Sequence, residues 1–107
     1  MESTQVTVRE KIENVIAANP VVLFMKGNPT FPQCGFSAAA VKMLTDAGAA
    51  NFAFVNVLED AQIREGIKSY SSWPTIPQLY IKQEFIGGAD IMRELHESGE
   101  LSRIIAK

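Results

Sequence analysis

Cys34 is the one cysteine among 107 residues. It ends a loop containing Gly27, Asn28, Pro29 and Pro32 and begins an alanine-rich stretch with the composition of a helix. A helix start presents unpaired N–H groups and the positive end of the peptide dipoles, and both favour thiolate over thiol. Lys26, just beyond the preceding apolar segment, adds positive charge from the same loop. The competing reading of a lone thiol is a small buried hydrophobe, and position alone leaves both readings open. One thiol supplies no internal disulfide, no cysteine-rich zinc site and no four-cysteine iron–sulfur ligation within one chain. Thiol chemistry at Cys34 therefore needs a second thiol from outside the chain.

The rest of the composition narrows the setting. A length of 107 residues with 47% hydrophobic content predicts one domain over residues 1–107 that folds without long disorder. A formal net charge of -2 without a basic stripe argues against nucleic acid as the partner. The longest strongly apolar run, Val21 to Met25, falls far short of the roughly 20 residues that cross a bilayer, so no membrane segment is expected. Met1 to Gln5 lacks the basic and apolar regions of a secretory signal. The expected setting is a reducing one: the cytoplasm, or an organelle matrix if a transit peptide has been removed.

The elements that must position the thiol follow from periodicity. Val8, Ile12, Val15 and Ile16 mark an amphipathic helix ending near Asn19-Pro20, and Val21 to Met25 reads as a central strand covered on both faces. Lys26 to Gln33 is loop, followed by a helix from about Gly35 to Ala47 with Gly48 at its C′ position. Phe52 to Val57 is the second strand. Asp60 caps a third helix burying Ile63, Ile67 and Tyr70, and Pro74 and Pro77 exclude helix beyond it. Gln78 to Lys82 and Glu84 to Ile86 form a hairpin with its turn near Lys82-Gln83. Gly87-Gly88 opens a fourth helix through His96, and Leu101, Ile104 and Ile105 lie on one face of a last segment. The order αβαβαββαα predicts an α/β fold, a four-stranded mixed sheet sandwiched by helices.

Four motifs stand in order along this framework: Met25-Lys26-Gly27, Cys34-Gly35-Phe36-Ser37, Trp73-Pro74-Thr75-Ile76-Pro77 and Gly87-Gly88-Ala89-Asp90. Together they closely resemble the monothiol glutaredoxins, the C-G-F-S subgroup of the thioredoxin fold, from about Val8 to Ala106. In dithiol relatives the position of Ser37 is a second cysteine that resolves mixed disulfides, and a hydroxyl cannot attack a disulfide sulfur. A routine first-turn serine is an equally good reading of Ser37. The resemblance implies a cis proline at Pro77, with the backbone of Ile76 facing outward to pair with an extended thiol peptide.

The resemblance also implies glutathione as ligand. Its glycine carboxylate would lie near Lys26 and Arg64 and its cysteine portion against Ile76. Its γ-glutamyl end would meet the amides at Ala89, where many relatives carry a second cysteine, with Asp90 taking the amine. A carboxylate at a helix start after two glycines is sound on physical grounds alone. Trp73 is expected as packing or rim, Phe36 as a partly exposed shield, and His96 as a surface residue.

The resemblance gives the missing thiol a source. A [2Fe-2S] cluster takes four ligands, and two copies of Cys34 with two glutathiones complete that set. The implied function is a homodimer bridging a labile [2Fe-2S] cluster, with Cys34 as its metal ligand, in iron–sulfur cluster assembly, storage or transfer to apoprotein clients. A BolA-like protein is a further expected partner. The alternative is an enzyme, a glutathione-dependent thiol-disulfide oxidoreductase with Cys34 as its catalytic nucleophile.

Overall fold

Strand β1, Val21–Met25, is buried at every residue and forms the axis of the molecule. In the computed structural model residues 6–49 and 51–107 are described; the opening Met1 to Gln5, read above for a leader, and Ala50 lie outside them. Helix α1, Val8–Ala18, precedes β1 and starts on a capping box: Thr7 accepts from the Glu10 amide while the Glu10 carboxylate accepts from the Thr7 amide. Helix α2, Gly35–Asp46, follows the thiol loop and ends with Gly48 in the left-handed region at φ +102°.

Strand β2, Ala53–Asn56, is shorter than the segment expected from the sequence. Phe52 falls before it, and Val57 opens a 3₁₀ turn, Val57–Glu59, in which Val57 is fully buried. The apolar alternation ran on past the strand because the turn folds Val57 back into the core. Asp60 then caps α3, Ala61–Ser71, accepting from the amides of Gln62 at 3.0 Å and Ile63 at 3.1 Å.

Strands β3, Gln78–Ile81, and β4, Glu84–Gly87, form the expected hairpin. Lys82 and Gln83 both have positive φ, as a two-residue turn between twisted strands requires, so Lys82 belongs to the turn and not to the strand. Helices α4, Ala89–Glu97, and α5, Glu100–Ala106, complete the chain.

The sheet order is β2-β1-β3-β4, with β1 and β2 parallel and the other neighbours antiparallel. Alternation along the strands divides the core between two faces. Leu23, Met25, Leu79 and Ile81 pack with Met43, Leu44, Met92 and Leu101 beneath α2, α4 and α5. Val22, Phe24 and Tyr80 pack with Ile12, Ile16 and Ile67 beneath α1 and α3. Burial of each such large aliphatic side chain contributes about 1.5–3 kcal/mol, which fixes the strand ends from which the functional loops leave.

Candidate functional site

Cys34 is the N-cap of α2. Its backbone is extended, and its sulfur accepts from the Ser37 amide at 3.3 Å. Ser37, a first-turn residue, is completely buried, and its Oγ lies 3.3 Å from the Cys34 sulfur. The same Oγ accepts from the Lys26 amide at 3.0 Å, which leaves the hydroxyl proton available to donate to an ionised sulfur. Lys26 N–H, Ser37 O–H and the Cys34 sulfur thus form a continuous polar chain from the end of β1 to the start of α2.

Two opposing effects act on the thiol. Burial pushes its pKa up, but hydrogen bonds from the Ser37 side chain and from the Ser37 and Phe36 amides, together with the Lys26 charge, outweigh it and hold Cys34 below the usual 9.0. A depressed folded pKa stabilises the fold above the unfolded value, and that contribution is lost as pH falls through the folded pKa. Iodoacetamide labelling of Cys34 should therefore show a rate midpoint below pH 9.0. The urea midpoint should rise with pH between the folded value and 9.0, and Cys34→Ala should lose that rise.

The loop before the thiol is tied to the scaffold. The Gly27 amide donates to Asn56 Oδ1 at 2.9 Å, and the Gln33 amide donates to the Lys26 carbonyl at 2.8 Å. Gly27 has φ +90°, and a Cβ there would stand 2.5 Å from the Phe31 carbonyl oxygen, so only glycine lets the loop close. Phe31 and Phe36 project on either side of Cys34 in sequence and are 68% and 62% exposed.

Beside the thiol opens a cleft of about 350 Å³. Lys26, Arg64, Ile76, Ala89 and Asp90, the five positions singled out from the sequence, all line it. Cys34 does not line it; its neighbours Lys26 and Phe36 do, so the sulfur stands at the margin. One wall is the Trp73–Pro77 loop, in which the Ile76–Pro77 bond is cis as expected. Among the described residues nothing hydrogen-bonds to the amide or carbonyl of Ile76, which leaves that backbone edge open to a ligand.

The start of α4 adjoins this loop in the cleft lining; Gly88 is its N-cap and no side chain caps the helix. A Cβ at Gly88 would stand 3.1 Å from the Trp73 indole nitrogen, so a side chain there would require the ring to shift by a few tenths of an ångström. Trp73 in turn packs against Phe85 with ring centroids 5.9 Å apart, a rim residue as expected.

Lys26, Arg64, Lys68 and Asp90 are the charged residues of the cleft lining. Lys26 and Arg64 form no ion pair among the described residues, whereas Lys68 is held by Glu65 at 3.0 Å. Asp90 is exposed. Sequence reasoning missed Lys68, which lines the cleft four residues after Arg64. That i, i+4 spacing, one helical face, was the available signal. It also missed the burial of Ser37. His96 is half-buried, and no group of three His, Cys, Asp or Glu among the described residues is arranged to hold a metal ion.

The glutaredoxin family model matches residues 21–86, from β1 to β4. A mitochondrial monothiol glutaredoxin-5 of Lachancea kluyveri is 54% identical over 99 residues, covering 91% of this chain and 69% of that protein. The chain belongs to the monothiol glutaredoxins. Glutaredoxin 4 of Escherichia coli is 46% identical to this monothiol glutaredoxin over 99 residues, covering 92% of this chain and 85% of that one. The solution structure of reduced apo GrxS14 from poplar superposes with a TM-score of 0.75 at 48% identity, covering 91% of this chain and 88% of that one. Its fold is accordingly the thioredoxin fold, with the thiol at the start of the helix after the first strand of the sheet.

Proposed function

We propose that this monothiol glutaredoxin binds glutathione in the cleft and, as a homodimer, carries a labile [2Fe-2S] cluster as cargo for iron–sulfur cluster assembly, storage or transfer. The observation that carries the reading is a single activated thiol, backed by a buried hydroxyl where a resolving thiol would stand, at the margin of a cleft suited to a thiol peptide. Lys26 and Arg64 would take the glycine carboxylate, the free edge of Ile76 the cysteinyl backbone, and the Ala89 amide with Asp90 the γ-glutamyl end. The fit rests on two cations with no ion pair among the described residues, a carboxylate, an unbonded backbone edge and a helix start without a side-chain cap, all lining one cleft.

One chain with one bound glutathione offers two thiolates, and a cluster takes four ligands, so two subunits are required. Half of those ligands would not be covalently part of the protein. Such a cluster leaves readily, which suits delivery to apoprotein clients, alone or with a BolA-like partner.

No helix among the described residues is long and apolar enough to cross a membrane. With relatives named as mitochondrial, an organelle matrix is the setting we propose, the cytoplasm being the other reducing compartment that suits the site.

Anaerobic incubation with iron, sulfide and glutathione should give visible cluster absorption together with a dimer by gel filtration. Omitting glutathione, or replacing Cys34 with serine, should abolish both; equal absorption in either sample overturns the proposal. The lowered thiol pKa also supports monothiol deglutathionylation as a second reading. There the Cys34 thiolate displaces a protein thiolate from a glutathione mixed disulfide, and a second glutathione frees Cys34 as oxidised glutathione leaves. Turnover in a glutathione mixed-disulfide assay measures that activity directly.

A further inference from the structure

Gln78, the first residue of β3, pairs with Phe24 of β1 at the centre of the sheet and is completely buried. Its side chain lies on the face shared with Tyr80, beneath α1 and α3. Nε2 donates to two carbonyls of the preceding loop, that of Trp73 at 3.0 Å and that of Thr75 at 3.1 Å. Both amide protons are thereby used. Oε1 is also buried, and no partner for it exists among the described residues.

An unpaired buried carbonyl is costly, and an apolar side chain of similar volume would avoid that cost. The two donated hydrogen bonds are what the amide adds. They hold the middle of a segment exposed at Trp73, Pro74 and Thr75, whose packing is the Trp73 ring against Phe85 and the partly buried Ile76 against the core. Its other hydrogen bonds lie at its start, where the Trp73 amide donates to the Lys68 carbonyl and to Ser71 Oγ, each at 3.1 Å. The outer side of this segment is the cleft wall that carries Trp73, Thr75 and Ile76.

We propose that Gln78 is a positioning residue that fixes this wall from inside the core, so that the Ile76 backbone is held ready for its ligand. The ligand half of the proposal rests on the reading of the cleft as a glutathione site. Gln78 itself touches no ligand, and Cys34 takes no hydrogen bond from the loop, so its effect should be confined to binding.

Gln78→Met keeps the length of the side chain and removes both donors and the orphan oxygen. It should lower glutathione affinity in calorimetric titration about tenfold, the effect of one net hydrogen bond. The NMR order parameters of Thr75 and Ile76 should fall from about 0.85 toward about 0.6. The pH profile of Cys34 alkylation should not move, and the melting temperature should stay within about 5 °C, which a merely destabilised core would not reproduce.

Unchanged order parameters overturn the anchoring. A loosened loop with unchanged affinity overturns the positioning role. A parent protein that takes up no glutathione overturns the ligand reading alone, and the order parameters then decide whether Gln78 holds the wall. If Gln78→Met does not fold, Gln78→Asn, one methylene too short to reach both carbonyls, is measured against the same outcomes.

Discussion

Ser37→Cys turns the one-thiol site into one that closes on itself. With oxidised glutathione, the titratable thiols should fall from two per chain to none, and the intact mass should show no retained glutathione. The oxygen to be replaced already lies 3.3 Å from the Cys34 sulfur. A disulfide needs about 2.05 Å, and the longer carbon–sulfur bond with a small side-chain rotation closes much of that gap. The new thiolate attacks the mixed disulfide on Cys34, an internal bond forms, and glutathione leaves as the thiol.

The exchange has a structural cost, because the Lys26 amide loses its hydroxyl acceptor and a larger atom enters a fully buried position. About 1–3 kcal/mol of destabilisation follows, measured in urea on the reduced protein. Ser37→Ala separates the two roles. It gains no thiol but loses the hydroxyl donor, so the alkylation midpoint of Cys34 should move up toward 9.0. Persistence of the glutathione adduct in Ser37→Cys would show that the side chain at 37 does not face the sulfur.

Reversing one charge in the cleft should have the second large effect. Arg64→Glu is expected to weaken glutathione binding about 100-fold, the sum of a lost charge-assisted hydrogen bond and a new like-charge contact. Lys26→Met should weaken it about tenfold by losing the cation without adding repulsion. The two residues differ in their reach. Lys26 also favours the Cys34 thiolate, and Arg64 is not among the groups that shift it. Lys26→Met should therefore raise the alkylation midpoint of Cys34, whereas Arg64→Glu should leave it in place. Calorimetric titration at low ionic strength makes the comparison cleanly, because added salt screens an open cleft. Equal affinity in parent and Arg64→Glu would remove Arg64 from the site.

Much of this arrangement is legible in the sequence because each element announces itself in one local pattern. The five-residue apolar run of β1, the aspartate before α3 and the glycine after α2 each act within a few residues of where they stand. The end of β2 was not legible, since Val57 is apolar for the sake of the core whether its backbone is strand or 3₁₀ turn. Within the site, charged positions carried over from the resemblance line one cleft. The burial of Ser37 and the role of Gln78 were not found, and for the same reason. A polar residue at a helix start or strand end is normally solvated, and only the packing of distant elements shows that these two are buried and what they hold.

Lys26, Arg64, Ile76 and Asp90 reach the cleft from the thiol loop, α3, the loop before β3 and the start of α4. No local stretch of chain contains the site, so it exists only while the sheet is intact. A ligand seated across these segments binds the native state and not the unfolded one. It stabilises the fold by RT ln(1 + [L]/Kd), about 2.7 kcal/mol when its concentration is 100 times Kd. If that ligand is glutathione, as proposed, the stability of the folded chain is coupled to the glutathione concentration. Depleting that pool would then also loosen the protein that draws on it.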